Sequence, residues 1–321
     1  MSAVTSPKTL QDAIVYFADP AVSLAEMVKL RWADGVVKCP TCGSEKVSFL
    51  KARRVWECAT QHPKRQFSVK VGTVMEDSAI RLDKWLVAMW LIANAKNGIS
   101  SYELARSIGV TQKSAWFMLH RIRLAMQDDD GGKLSGRVEV DETYIGGKAR
   151  NMHPAKRERV IGDKRGGWAG KAAVLGMLER TSEVAPSKVR LRVVKSSRRA
   201  ELIPHIEANV EPLTRVYTDA LPSYEKMPDQ FFHAMVDHAE KYVDGQVHTN
   251  GLENFWSLLK RSIRGTYVSV EPFHLFRYLD EQAFRFNTRK LSDAGRFAIT
   301  AAAVVGKRLT FNQLTAADQT C

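Results

Sequence analysis

Apolar residues recur at helical spacing near the start of the chain, Leu10, Ile14 and Phe17, then Leu24, Met27 and Leu30, which predicts two short amphipathic helices covering whatever follows. From Val36 to about Val74 the pattern turns to Cys, Gly and alternating β-formers, as in Val47-Ser48-Phe49 and Arg54-Val55-Trp56-Glu57-Cys58, and predicts a small β-rich module. Helical periodicity returns from Leu82 to Met126 and stops at Asp128-Asp129-Asp130-Gly131-Gly132, a turn-forming run taken as a domain boundary. Beyond it the pattern predicts strands over Gly136 to Tyr144, Ala172 to Leu178 and Val189 to Val194, a helix over Arg198 to Val210, and strands at Arg215 to Thr218 and near Phe231 to Val236. Long helices follow at Gly251 to Arg264 and Pro272 to Asn287. Strands followed by crossover helices imply an α/β layer structure with a mixed sheet.

The expected organisation is therefore N-terminal helices in 1–35, a metal-binding ribbon in 36–78, a helical segment in 79–130, an α/β domain in 131–292 and a C-terminal tail in 293–321. Several units fit the length, since 321 residues exceed the usual domain of roughly 100–200. Lys and Arg total 48 against 35 acidic residues, a formal charge of +13, which points to a polyanionic partner, most simply nucleic acid. The longest apolar stretch, Trp85 to Ala95, is far below the ~20 residues that cross a bilayer. No basic-then-apolar signal opens the chain, so the expected location is the cytoplasm, with no membrane partner.

Three of the four cysteines, Cys39, Cys42 and Cys58, fall within twenty residues, which in a reducing compartment favours metal over disulfide. Cys39-Pro40-Thr41-Cys42 offers two thiolates on one tight turn, and His62 supplies the nearest fourth ligand, giving a Cys3His set for a structural Zn²⁺. A redox Cys-x-x-Cys is the competing reading, but no thioredoxin-like pattern surrounds it. Within the helical segment, Ser101 to Ala105 and Thr111 to Trp116 flank a turn at Ile108-Gly109-Val110, a helix-turn-helix pattern. Its second helix would carry Gln112 and Lys113 near the N-terminus and Arg121 and Arg123 further on, as DNA contacts; an ordinary antiparallel helix pair is the plainer reading.

The α/β region carries acids in three comparable contexts. Val138-Glu139-Val140-Asp141-Glu142-Thr143-Tyr144 is a β-pattern carrying Asp141, expected near the end of the first strand of the domain, and the short run Arg215-Val216-Tyr217-Thr218 ends in Asp219. Adjacent strands ending in carboxylates can bring oxygen donors to one sheet edge, the cluster that hard Mg²⁺ or Mn²⁺ takes. Glu253, Trp256 and Lys260 share one face of a helix by their spacings of three and seven. Glu253 can thus complete a two-metal site, while Lys260 holds a DNA phosphate.

The order Asp141, Asp219, Glu253, with intervals of 78 and 34, resembles the triad of DDE transposases, and Lys260 resembles the lysine that follows the glutamate in many of them. Val140-Asp141-Glu142-Thr143-Tyr144-Ile145-Gly146-Gly147-Lys148, Glu253-Asn254-Phe255-Trp256-Ser257-Leu258-Leu259-Lys260 and Arg285-Phe286-Asn287 are similar to the bacterial ISXO-type transposases. So are Arg65-Gln66-Phe67-Ser68-Val69 and Gly72-Thr73 in the ribbon. The resemblance runs from about Val36 to Arg289 and implies a ribonuclease-H-like catalytic domain behind a zinc ribbon. It also implies an enzyme that binds the ends of an insertion sequence, cleaves them and joins the 3′-hydroxyl to target DNA, acting as a homo-oligomer, at least a dimer on paired ends. Asn250, one turn before Glu253, is the alternative third ligand. Glu253 is preferred because its charge holds a divalent metal better than an amide does. Glu142 is the alternative to Asp141, ranked second because it faces the other side of the strand.

Lys148 to Lys171 holds eight Lys or Arg against two acids. Lys148, Arg150, Lys156, Arg157, Lys164 and Arg165 are therefore expected DNA-backbone contacts, together with Lys260, Arg261 and Arg264. A solvated loop is the plainer alternative. Two other functions remain open: a non-catalytic zinc-ribbon regulator that binds DNA through residues 36–126, and a ribonuclease-H-like nuclease that hydrolyses without joining.

Overall fold

A computed structural model of the chain describes residues 6–128, 132–147, 152–161, 169–183, 185–236 and 248–316, without the side chains of Lys156, Arg159 and Val160. The chain divides into two compact units, residues 1–127 with 291–318 and residues 128–290 with 319–321. Among the described residues no helix is long and apolar enough to cross a membrane.

The first unit opens with α1 (Leu10–Ala18) and α2 (Pro20–Arg31). A capping box between Thr9 and Asp12 starts α1, and Asp19 with Pro20 starts α2, each satisfying amides that the first turn leaves unpaired. Strands β1 (Val47–Leu50), β2 (Val55–Cys58) and β3 (Gln66–Phe67) form an antiparallel sheet in that order. Trp56 is buried among Trp32, Phe49 and Phe67. The helical part is α3 (Leu82–Asn94), α4 (Ser101–Ile108) and α5 (Gln112–Ala125). Trp85, Leu86, Met89, Trp90 and Ile92 make α3 the buried spine of the unit.

The last stretch, expected as a tail, folds as α10 (Asp293–Ala302) and α11 (Phe311–Thr315) and belongs to the first unit. Phe297 packs its ring against Phe17 and Trp90, Val74 N–H donates to Val304 O at 3.0 Å and Gly306 N–H donates to Gly72 O at 2.9 Å. Burial of Phe297, Ala301, Val304, Leu309 and Leu314 is the hydrophobic reason that the segment stays folded.

The second unit is built on one five-stranded sheet of order β6-β5-β4-β7-β8, from β4 (Arg137–Ile145), β5 (Ala172–Glu179), β6 (Lys188–Val194), β7 (Arg215–Asp219) and β8 (Phe232–Val236). β5 is antiparallel to both β4 and β6, whereas β7 and β8 run parallel to β4. The parallel step from β6's side back to β7 needs a crossover, supplied by α7 (Arg199–Asn209). Strand alternation divides β4 between two cores. Val138 and Val140 join Leu202, Ile206 and Val216 beneath α7. Ile145 joins Val174, Leu252, Phe255 and Leu259 beneath α8 (Asn250–Ser262) and α9 (Leu275–Asn287). The polar connection expected between the first two strands of this unit contains a helix, α6 (Pro154–Ile161). Pro154 sits at its first turn, where a missing N–H is harmless, and Ile161 is buried at its end.

Candidate functional site

In the ribbon, the ligand atoms of Cys39, Cys42, Cys58 and His62 all lie within 4.8 Å of one another. Cys39 and Cys42 come from the turn before β1, Cys58 ends β2, and His62 follows on the next loop. His62 Nε2 is 3.4 Å from Cys39 Sγ, and Cys42 Sγ is 3.6 Å from Cys58 Sγ. His62 Nδ1 lies 2.7 Å from Pro63 O. Donation there fixes the tautomer and leaves Nε2 free to ligate, the arrangement of a zinc-bound histidine. Burial pushes the Cys58 thiol up, but hydrogen bonds from His62 and Thr60 outweigh it and leave it at about 6, a thiol ready to act as thiolate. This donor set fits a closed, structural Zn²⁺.

In the second unit the carboxylates arise from three elements. The last paired residues of the parallel β4–β7 ladder are Glu139 and Tyr217; Asp141 and Asp219 each stand two residues further on, and so on the same sheet face. That face packs under α8, whose first turn carries Glu253, exposed. Burial raises the Asp141 carboxyl to about 6, the Trp256 indole opposes this, and the charges of Asp219 and Glu253 add to it. Asp141 therefore lies within charge reach of both other acids. Among the described residues the three carboxylates do not form a second set as tight as the ribbon's, as expected of like charges that repel. Their chemistry, anionic oxygen donors of which the first is raised chiefly by burial, fits a hard divalent cation.

Two details of β4 escape the sequence pattern. Glu142, on the α7 face, accepts a 2.6 Å bond from the buried Tyr224 hydroxyl. Burial raises its carboxyl to about 7, Tyr224 opposing and the charges of Asp219 and Asp141 adding. Glu139 is buried at 1% exposure; it pairs with Arg180 at 2.7 Å and accepts the Leu252 amide at 2.9 Å. Arg180 also donates to His248 O at 2.6 Å and lies over the Tyr217 ring. A methyl on Gly251 would come within 2.8 Å of Glu139 Oε2. Glu139 thus pins the start of α8, the turn that carries Glu253. A charged residue flanked by valines on a buried strand was the available signal, since such a charge needs a partner.

Lys260, two turns after Glu253, is half-buried, and its ammonium is lowered by burial and by Arg264 and Lys171 while Asp141 opposes. Arg261, Arg264 and Asn250 are exposed, the last at the first position of α8. Arg157 is exposed on α6. Lys148, Arg150, Lys164, Arg165 and the Lys156 side chain lie outside the described residues. In the first unit, Gly109 closes α4 in the left-handed region with φ 62°, a conformation natural to glycine. Lys113 is exposed on α5, and Gln112 donates to Ser101 Oγ at 2.8 Å. The expectation for Arg121 is corrected. It is buried at 7% exposure, donates to Leu309 O and Glu76 O at 3.0 Å each and stacks on Phe117, so its guanidinium serves the fold. Arg123 is buried at 1%.

The sequence matches the ISXO2-like transposase domain over residues 133–287 and a transposase zinc-ribbon domain over residues 22–60. A protein in transposable element ISH50 of Halobacterium salinarum is 31% identical over 288 residues, covering 85% of this chain and 92% of that protein. A transposase-like protein of Haemophilus influenzae is 31% identical over 105 residues, covering 32% of this chain and 85% of the relative. No solved structure matches. With both domain matches in sequence order and a mobile-element relative aligned over most of its length, the chain belongs to the ISXO2-like family of DDE insertion-sequence transposases.

Proposed function

We propose that this protein binds the ends of its insertion sequence, cleaves them and joins the freed 3′-hydroxyl to target DNA, with Asp141, Asp219 and Glu253 as the ligands of Mg²⁺ or Mn²⁺. The observation that carries the reading is the matched depth of Asp141 and Asp219 on neighbouring parallel strands, with Glu253 on the covering helix near enough for its charge to reach Asp141. Three anionic side chains gathered between one sheet face and the helix that covers it are costly to each other unless a cation joins them. When bound, such cations lower the pKa of the attacking water or hydroxyl and shield the charge that develops at phosphorus.

The chain's own side chains have separate tasks. Asp141 and Asp219 are fixed by the sheet, and Glu253, exposed on the first turn of the covering helix, completes the set. Asn250, exposed one turn earlier, is the alternative oxygen donor. Lys260 holds a DNA phosphate beside Asp141, and Arg261 and Arg264 continue that cationic face. The basic connection between β4 and β5 tracks the backbone by charge. Strand order supports a ribonuclease-H-like domain: three antiparallel strands, then two parallel ones reached by a helical crossover. In the first unit, α4 and α5 act as a helix-turn-helix, with the exposed Lys113 available to DNA, and the ribbon is its neighbour in sequence. Assembly on paired ends calls for at least a dimer.

The test incubates the full chain with Mg²⁺ or Mn²⁺, target DNA and a labelled pre-cut element end. Joined product is expected, and Asp141→Asn and Asp219→Asn should abolish it while end binding persists. Hydrolysis without joining would make the protein a nuclease, and binding with neither reaction would make it a regulator.

A further inference from the structure

β5 is apolar from Ala172 to Leu178 except at Gly176, and a glycine inside a strand marks a bulge or a close approach. Here it is a close approach. Gly176 stands directly opposite Asp141 in the antiparallel register. A methyl at that position would come within 2.5 and 2.6 Å of the Trp256 indole carbons Cζ2 and Cη2, a separation that side-chain carbons do not tolerate. The indole therefore lies on the strand in a slot that the missing side chain leaves. From there Trp256 Nε1 donates to Asp141 Oδ2 at 2.8 Å.

The other oxygen, Asp141 Oδ1, accepts the backbone N–H of Glu142 at 2.8 Å. Each carboxylate oxygen thus carries one fixed donor and retains a further acceptor direction. Trp256 follows Glu253 by one turn of α8, so a single helix supplies the third acid and also grips the first. Simple core packing accounts for the burial of the indole at 5% exposure, but any large ring would pack. The N–H aimed at the carboxylate is what packing leaves unexplained.

We infer that Trp256, seated on Gly176, is a positioning residue that fixes the Asp141 carboxylate in the orientation in which it takes a divalent cation. The inference rests on the proposed role of Asp141 as a cation ligand. Partners that orient a ligand from outside typically contribute 10–100-fold to metal affinity. Trp256→Phe keeps an aromatic ring and removes the N–H; Gly176→Ala keeps the N–H and displaces the ring. Phe255→Leu trims the adjacent core without touching a carboxylate, and so controls for lost packing.

The experiment measures Mn²⁺ binding to the zinc-loaded full chain without DNA, by the loss of the free-ion electron paramagnetic signal, alongside thermal unfolding of each variant. Trp256→Phe and Gly176→Ala should weaken binding about tenfold, and Phe255→Leu should lower the melting midpoint with Mn²⁺ affinity unchanged. Unchanged affinity in Trp256→Phe, or equal weakening in Phe255→Leu, overturns the positioning role. Asp141→Asn separates the two claims. Should it leave Mn²⁺ binding intact, the cation-ligand reading fails; should it abolish binding while Trp256→Phe does nothing, only the positioning role fails.

Discussion

Cys39, Cys42, Cys58 and His62 come from 24 consecutive residues and stand with their ligand atoms within 4.8 Å of one another. Asp141, Asp219 and Glu253 span 113 positions, come from two strands and a helix, and share a neighbourhood without closing to ligand distance. The ribbon's ligands, three cysteines and one histidine, are carried on tight turns, so they can gather with little support from a core. Carboxylates repel one another, and here the fold holds them: Trp256 donates to Asp141, and Glu139, paired with Arg180, pins the turn of α8 that carries Glu253. The ribbon therefore depends on its ion for structure, whereas under the proposed function the carboxylate site depends on its fold for geometry and on its ion for chemistry.

Withdrawing zinc tests that contrast most severely. Structural zinc sites in small modules are worth about 10–16 kcal/mol at neutral pH, so a strong chelator should expose β1–β3 to proteolysis and amide exchange while β4–β8 stays protected. Loss of protection in both would break the comparison. Next in size, Asp219→Asn should reduce strand joining by a thousandfold or more, on the order of 4 kcal/mol of barrier, with β7 amides still protected from exchange. Unfolding of the sheet instead would show that this acid is structural.

Glu139→Ala removes the buried carboxylate that pairs with Arg180 and accepts the Leu252 amide. A loss of roughly 3–5 kcal/mol in the denaturant stability of the second unit is expected, against a much smaller one for Glu139→Gln. Glu142 gives a pH signature. Its folded carboxyl is raised from 4.5 to about 7, so the folded state binds the proton more tightly than the unfolded chain. Stability from this group is full below the unfolded value and is lost as pH rises towards 7. In metal-free protein the opening free energy of the β4–β5 ladder, from amide exchange corrected for its intrinsic pH dependence, should be higher at pH 5 than at pH 7.5, and Glu142→Gln should flatten the difference, of order 3 kcal/mol at most. The smallest effect is expected of Lys260→Ala, which should lower the salt dependence of end binding by about 0.9 in the log–log slope; an unchanged slope would remove Lys260 from the DNA path.

What could be read from the chain itself was whatever local spacing controls. The Cys-x-x-Cys turn, the alternation that puts Val138 and Val140 on one face and Glu139 and Asp141 on the other, and the 253-256-260 helix face are properties of a few consecutive residues. Side-chain direction follows from periods of 2 and 3.6. Arg121 misled for the same reason: its position on a helix was legible, but the carbonyls of Glu76 and Leu309 that absorb its guanidinium come from distant segments. Gly176 facing Asp141, Trp256 reaching across to it, Arg180 pairing with Glu139 and the C-terminal helices returning to the first unit depend on pairing register and helix packing. Those contacts join residues tens to hundreds of positions apart, and no local periodicity encodes them. The sequence alone determined which atoms could bind metal; the tertiary structure decided which of them meet and what holds them there, because burial and long-range pairing, not residue type, fix the direction of a charged side chain.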